Sequence, residues 1–146
     1  MKDKAAAVEG RANLFKRLAY IYIGTSSFEE DHDYYENKLG ARLVWEFEEF
    51  GARVAAFDIC GEPYLLLADH VKPPSKRLIY EVEDLDEAVK ALKARGWKPD
   101  GRRFEIPDGP CVNFKDASGN EYAILQMSRP RILEAEAEFR KAEGTK

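Results

Sequence analysis

Gly61-Glu62-Pro63-Tyr64-Leu65-Leu66-Leu67 and Gly119-Asn120-Glu121-Tyr122-Ala123-Ile124-Leu125 place a glycine, a tyrosine and a closing leucine at the same spacing, 58 residues apart. Each reads as a turn running into a strand, because glycine breaks regular structure and apolar residues follow it. Upstream of each lies the same succession of elements. Leu18-Ala19-Tyr20-Ile21-Tyr22-Ile23 alternates as a strand does, and Ser26 and Ser27 precede Glu29 and Glu30 at capping-box spacing. The helix predicted there runs to about Lys38 and stops at Gly40, with strands following at 42–47, 53–59 and 64–68. A polar stretch from Asp69 to Lys76, carrying Pro73 and Pro74, reads as a linker. The pattern then restarts: a strand over Arg77–Val82, a capping box at Asp84 and Glu87, a helix to Gly96, and strands near 103–106, 111–115 and 121–127. The strand-to-helix segments align at an offset of 57, which sets Tyr20 opposite Arg77.

A unit written twice predicts an α+β fold of two tandem βαβββ modules forming a curved mixed sheet around a cavity. The expected domain spans 18–127, with module one at 18–69 and module two at 77–127. A helical extension is expected over 1–17, and a helical tail over 128–146, solvated or at an interface.

Composition narrows the function classes. The chain has 146 residues, 45% hydrophobic and 12% aromatic, enough for one packed domain. Its net charge is -4 with both signs interspersed, so no basic stripe speaks for nucleic acid. Cys60 and Cys111 make neither a disulfide framework nor a zinc pairing. With no signal-like or membrane-spanning run, a cytoplasmic location is the expectation.

Three motifs, in order within the repeat, carry a family resemblance. They are Tyr34-Tyr35-Glu36-Asn37-Lys38-Leu39-Gly40, Glu81-Val82-Glu83-Asp84-Leu85-Asp86-Glu87-Ala88, and Phe114-Lys115-Asp116-Ala117-Ser118-Gly119-Asn120. Over residues 18–127 the chain resembles the vicinal oxygen chelate superfamily of glyoxalases, extradiol dioxygenases and bleomycin resistance proteins. The resemblance implies a metal site built from the first and last strand of each module, usually by His, Gln and Glu, with open positions for substrate oxygens. Those positions fall here on Tyr20, Arg77, Leu65 and Ala123. A neutral phenol of pKa about 10 is a poor ligand. A guanidinium would repel a cation by several kcal/mol at close range. Shifting by one residue does not rescue the site, because Ala19, Ile21, Leu66, Leu78 and Ile124 are incompetent as well. The expectation is a member without metal or other cofactor.

Strand alternation from those positions proposes a ligand-binding face of Tyr20, Tyr22, Leu65, Leu67, Arg77, Ile79, Glu81, Ala123 and Leu125, with Glu121 beside them. Trp45, Phe47, Phe57, Asn113 and Phe114 are further candidates of less certain direction. Such a cavity suits a small organic ligand held by stacking and a few polar anchors. The alternative is a filled interior with Arg77 and Glu81 as a structural ion pair. His32, among Glu29, Glu30, Asp31 and Asp33, reads as part of a solvated charge cluster on an exposed helix face.

Three functional readings follow. The first is a metal-independent small-molecule-binding protein resembling bleomycin-type drug-sequestering proteins. Its ligand would be cationic or aromatic, met by Trp45-Glu46-Phe47-Glu48-Glu49-Phe50. The second is a glyoxalase-like lyase or isomerase with Glu81 or Glu121 as base and Arg77 holding an oxyanion. The third is an interaction module without small-molecule activity. The resemblance implies a homodimer; no nucleic-acid or membrane partner is expected.

Overall fold

Alternating apolar side chains give eight strands, and their hydrogen-bond registers join them into one sheet. In the computed structural model, which describes residues 14–49, 51–130 and 132–144, these strands are β1 (Phe15–Gly24), β2 (Arg42–Glu49), β3 (Ala52–Asp58), β4 (Tyr64–Ala68), β5 (Lys76–Val82), β6 (Phe104–Ile106), β7 (Gly109–Lys115) and β8 (Glu121–Gln126). Their spatial order is β2-β3-β4-β1-β5-β8-β7-β6. Each module contributes one half, and the halves meet within the chain where β1 runs antiparallel to β5. Within each half the first strand lies parallel to the last, β1 with β4 and β5 with β8. The result is the expected curved mixed sheet.

Helices α1 (Phe28–Asp33) and α2 (Leu85–Lys93) cover the convex face. The Asp84 carboxylate caps α2 by accepting from the Glu87 amide at 3.0 Å. Ser27 makes no such cap for α1, so the expected Ser box does not form; its own amide donates to Thr25 Oγ1. The first helix continues as a π-helical turn over Tyr34–Lys38, closed by Leu39 N–H on the Tyr34 carbonyl. That wider turn seats the Tyr35 ring 5.6 Å from Phe57. Gly40 ends the segment at φ 74, a conformation that costs a side-chain-bearing residue about 1 kcal/mol or more.

Two apolar clusters lie side by side on the convex face of the sheet. Phe28, Phe57 and Leu67 pack under the first helical segment, and Leu85, Ala88, Leu92, Val112 and Ile124 under the second. On the concave side a third cluster joins Tyr20, Trp45, Ala56, Leu66, Ile79, Ala123 and Leu125. Helix α3 (Ile132–Gly144) lies against β2 and inserts Leu133 into this third cluster. The tail is therefore docked rather than solvated. Residues 1–13 of the expected N-terminal helical extension lie outside the described residues, and Phe15, Lys16 and Arg17 belong to β1.

The registers fix how the modules superpose. Tyr20 pairs with Tyr64 across β1–β4, and Arg77 with Glu121 across β5–β8. The offset of 57 therefore holds through the last strand, making Leu66 the counterpart of Ala123. Tyr64 and Tyr122 share a name but not a place. Tyr64 packs on the concave cluster, whereas Tyr122 stacks on Phe114 at 5.2 Å on the convex side. A one-residue slip turns every side chain of a strand to the other face.

Candidate functional site

That slip corrects two expected site residues on β4. Leu65 and Leu67 face the convex cluster, with Leu67 fully buried against α1, and Leu66 takes the concave position instead. Phe57 is likewise convex, packed by Tyr35 and His32, and Phe114 faces the second helical layer. Tyr20, Tyr22, Ile79, Ala123 and Leu125 are concave as expected, and Trp45, whose direction the sequence left open, is concave too. Cys111, which reasoning from the sequence passed over, is concave too; it lies two residues from Asn113 on β7.

The four positions where the family places metal ligands are thus Tyr20, Leu66, Arg77 and Ala123. Two hydrocarbon side chains and a guanidinium cannot coordinate a divalent ion. The Tyr20 hydroxyl is committed elsewhere, donating to Asp108 Oδ2 at 2.6 Å. Burial, with the Asp108 carboxylate beside it, pushes the Tyr20 phenol far above its ordinary range, so it has no phenolate to offer. The donor set does not fit a metal. Among the described residues no group of three or more His, Cys, Asp or Glu is placed to hold one.

The concave face is divided by polarity. Over module one it is dry: Trp45, Ala56, Leu66 and Ala68 are at most 4% exposed, and α3 lies over them. Over module two and the seam it carries polar groups. A row runs straight across the strands from Leu66 through Tyr22, Arg77 and Glu121 to Lys115, each residue the registered neighbour of the next. Arg77 pairs with Glu121 through a guanidinium–carboxylate contact. The Tyr22 hydroxyl lies 3.0 Å from His70 Nε2, so the linker histidine reaches the row at Tyr22. Burial pushes the Tyr22 phenol up, and Arg77 only partly offsets this. Beneath the row, the Cys111 thiol is pushed up to about 12, chiefly by burial.

Two buried polar atoms near this row have no hydrogen-bond partner among the described residues: Arg77 Nε and Asn113 Oδ1. Leaving such an atom unpaired costs about 1–3 kcal/mol, so an unpaired donor and acceptor on one concave half mark a place where a polar guest would be stabilised.

Glu81 is not the partner of Arg77. It is held by Arg17 Nε at 2.7 Å and Lys16 at 3.4 Å, on the strand across the seam. In the acidic aromatic stretch, Trp45, Glu46 and Glu48 are also engaged rather than free. Trp45 is buried, Glu46 meets His32 Nε2 at 2.6 Å, and Glu48 lies 3.6 Å from Arg53. Only a cleft of about 150 Å³ remains there, and the Arg53 guanidinium sits 4.1 Å over the Phe28 ring on its wall. The protein's own arginine thus takes the cation–π role on that surface. Phe50 lies outside the described residues. His32 is mostly buried between Phe28 and Phe57 rather than solvated.

The Asp116 turn into β8 holds itself together. The carboxylate accepts from the Ser118 and Asn120 amides at 3.0 and 2.9 Å and from Asn120 Nδ2 at 2.8 Å. These bonds, led by the Asn120 side chain, hold it below the ordinary carboxylate range. The turn sets the phase of β8 and so aims Glu121 and Ala123 at the concave side.

Residues 17–124 match the family model described as Glyoxalase/Bleomycin resistance protein/Dioxygenase superfamily. No curated protein sequence matches the chain. Among solved structures, a methylmalonyl-CoA epimerase from Mycobacterium tuberculosis superposes with a TM-score of 0.69 at 17% identity, covering 81% of this chain and 92% of that one. The Streptomyces coelicolor methylmalonyl-CoA epimerase in complex with 2-nitronate-propionyl-CoA gives a TM-score of 0.65 at 14% identity, covering 79% and 96%. A hypothetical protein from Bacillus halodurans gives 0.65 at 17%, covering 75% and 93%. At these identities the likeness is one of fold.

Proposed function

The chain belongs to the glyoxalase/bleomycin resistance protein/dioxygenase superfamily, and from that premise we propose that it is a metal-independent small-molecule-binding member whose ligand sits on the module-two half of the concave face. The observation that carries the reading is the arginine at the metal-ligand position of module two, with Nε unpaired, and an unpaired Asn113 Oδ1 on the same face two strands away. A guest with an acceptor for the first and a donor for the second would gain two buried hydrogen bonds, at about 1 kcal/mol or more each. Tyr22 would supply the flat apolar wall. This moves the ligand away from the 45–50 segment, and an aromatic, polar guest is better supported than a purely cationic one.

The superfamily's lyase and isomerase chemistry is the second reading, favoured by the adjacency of Glu121 and Arg77 on one row. It requires the pair to part, so that the carboxylate takes a proton while the guanidinium holds the oxyanion. The epimerase neighbours lend it the fold and nothing finer. No described helix is long and apolar enough to cross a membrane. The two unbridged cysteines support a reducing compartment, and we place the protein in the cytoplasm. A homodimer remains part of the proposal on family grounds.

A thermal-shift screen tests the binding reading, using aromatic amides, aromatic amino acids and cationic aromatic drugs on the full chain, before and after chelation. A hit should raise the midpoint with and without chelator and lose at least tenfold in affinity in Arg77→Met. A stoichiometric divalent ion whose removal abolishes the response would refute it.

A further inference from the structure

Away from the concave face, a cavity of about 310 Å³ opens on the convex side of module two, between α2 and the segment that follows it. Its floor is apolar, made by Leu85, Val89 and Val112. Its rim is basic, carrying Lys93, Arg102 and Arg103 against the single acid Asp86. Arg103 is paired with Asp86. Among the described residues neither Lys93 nor Arg102 has an ion-pair partner. Two uncommitted cations at the mouth of one cavity stand out on a chain whose net charge is -4. Like charges converging on an apolar floor attract an anion carrying an apolar body.

The walls are fixed on both sides. The Trp97 amide donates to the Leu92 carbonyl at 3.1 Å and the Asp100 amide to the Asn113 carbonyl at 2.8 Å. Lys115 reaches Asp100 at 3.5 Å, and Arg103 ties the far end of the segment to α2. Gly101, at φ 92, makes the bend that swings Arg102 and Arg103 back over the floor. A cavity already braced in this way loses little ordering entropy on binding.

We propose that this convex cavity is a second site, for a small organic anion, a carboxylate or a phosphate with a short apolar or aromatic body. The body rests on Leu85, Val89 and Val112, and the anionic head meets Lys93 and Arg102. The volume is near the lower end of small-molecule pockets, about 300 Å³, so a long chain or a nucleotide is too large.

Backbone amide NMR on the full chain tests it, with phenyl phosphate and hexanoate as anionic probes and phenol and hexylamine as uncharged and cationic controls. Both anions should shift the Val89, Gly101 and Val112 amides saturably, and the controls at least tenfold more weakly. Binding should fall at least tenfold in Lys93→Glu/Arg102→Glu and in the milder Lys93→Gln/Arg102→Gln, and persist in Arg77→Met. Preference for the phosphate or for the carboxylate separates the two sources of the anionic head. Equal response to the controls, shifts centred on Tyr22, Arg77 and Glu121, or indifference to the Lys93/Arg102 changes would each overturn the proposal. Because Arg77→Met leaves this site intact, failure here and failure of concave binding are distinguishable.

Discussion

Replacing Leu133 with alanine asks whether α3 belongs to the concave core. Leu133 is 6% exposed and lies in the cluster with Trp45, Leu66 and Ile79. Truncation removes three carbons, forfeiting about 2.4 kcal/mol at about 0.8 kcal/mol per buried CH2. The space left between helix and sheet adds up to about 2 kcal/mol, while alanine's better helix propensity returns a few tenths. The expected loss is about 2.5–4 kcal/mol, read from the midpoint of urea unfolding at constant m-value. Phe139 on the same helix is 65% exposed and serves as the control; Phe139→Ala should cost under about 0.5 kcal/mol. If both variants cost the same small amount, α3 does not dock on the sheet, and the dry half of the concave face would have to be covered by something else.

Other expectations follow from buried groups. Asp108 is held above the ordinary carboxylate range, chiefly by burial and in spite of the Tyr20 hydrogen bond. A raised native value means the folded protein binds the proton more tightly, so this group lowers stability as pH rises from about 3.9 through the native pKa. Asp108→Asn should therefore gain more relative to wild type at pH 7 than at pH 4; an equal or reversed gain would contradict the assignment. Thiol titration of the native protein should find Cys60, which is exposed, reacting promptly. Cys111, buried and pushed up to about 12, keeps a thiolate fraction on the order of one in ten thousand at pH 8 and should react only on unfolding. Gly24→Ala should destabilise by more than about 2 kcal/mol, since a Cβ there would lie 2.3 Å from the Val71 carbonyl oxygen. Thermal melts would show it, and an unchanged midpoint would mean the linker yields.

The strands were legible because their alternation is local: β4 spans the expected 64–68, and β5 starts one residue before the expected 77. The face of β4 was not. The shared Gly and Tyr suggested an offset of 58, whereas pairing of Tyr20 with Tyr64 and Arg77 with Glu121 imposes 57. Register is a property of two strands, and a motif within one strand cannot report it. The partner of Arg77 was missed for a related reason. Glu81, four residues along the same strand, is close in sequence, but Glu121 is beside Arg77 in space and Arg17 reaches Glu81 across the seam. Nothing local marks Asp108 as the acceptor for Tyr20, 88 residues away. The role of α3 was hidden too, because Leu133 docks on strands more than 60 residues earlier.

The docked tail also changes what the duplication can tolerate. One copy of the repeat has its inner surface sealed by a helix that the other copy lacks, so the two halves live under different rules. In the first, a polar substitution on the inner surface meets hydrocarbon on both sides and threatens folding. In the second, the same substitution meets Arg77 and Glu121, and on the proposed reading it would alter what is recognised. If the concave face binds as proposed, ligand preference can thus change through module two while module one and the docked helix keep the scaffold standing.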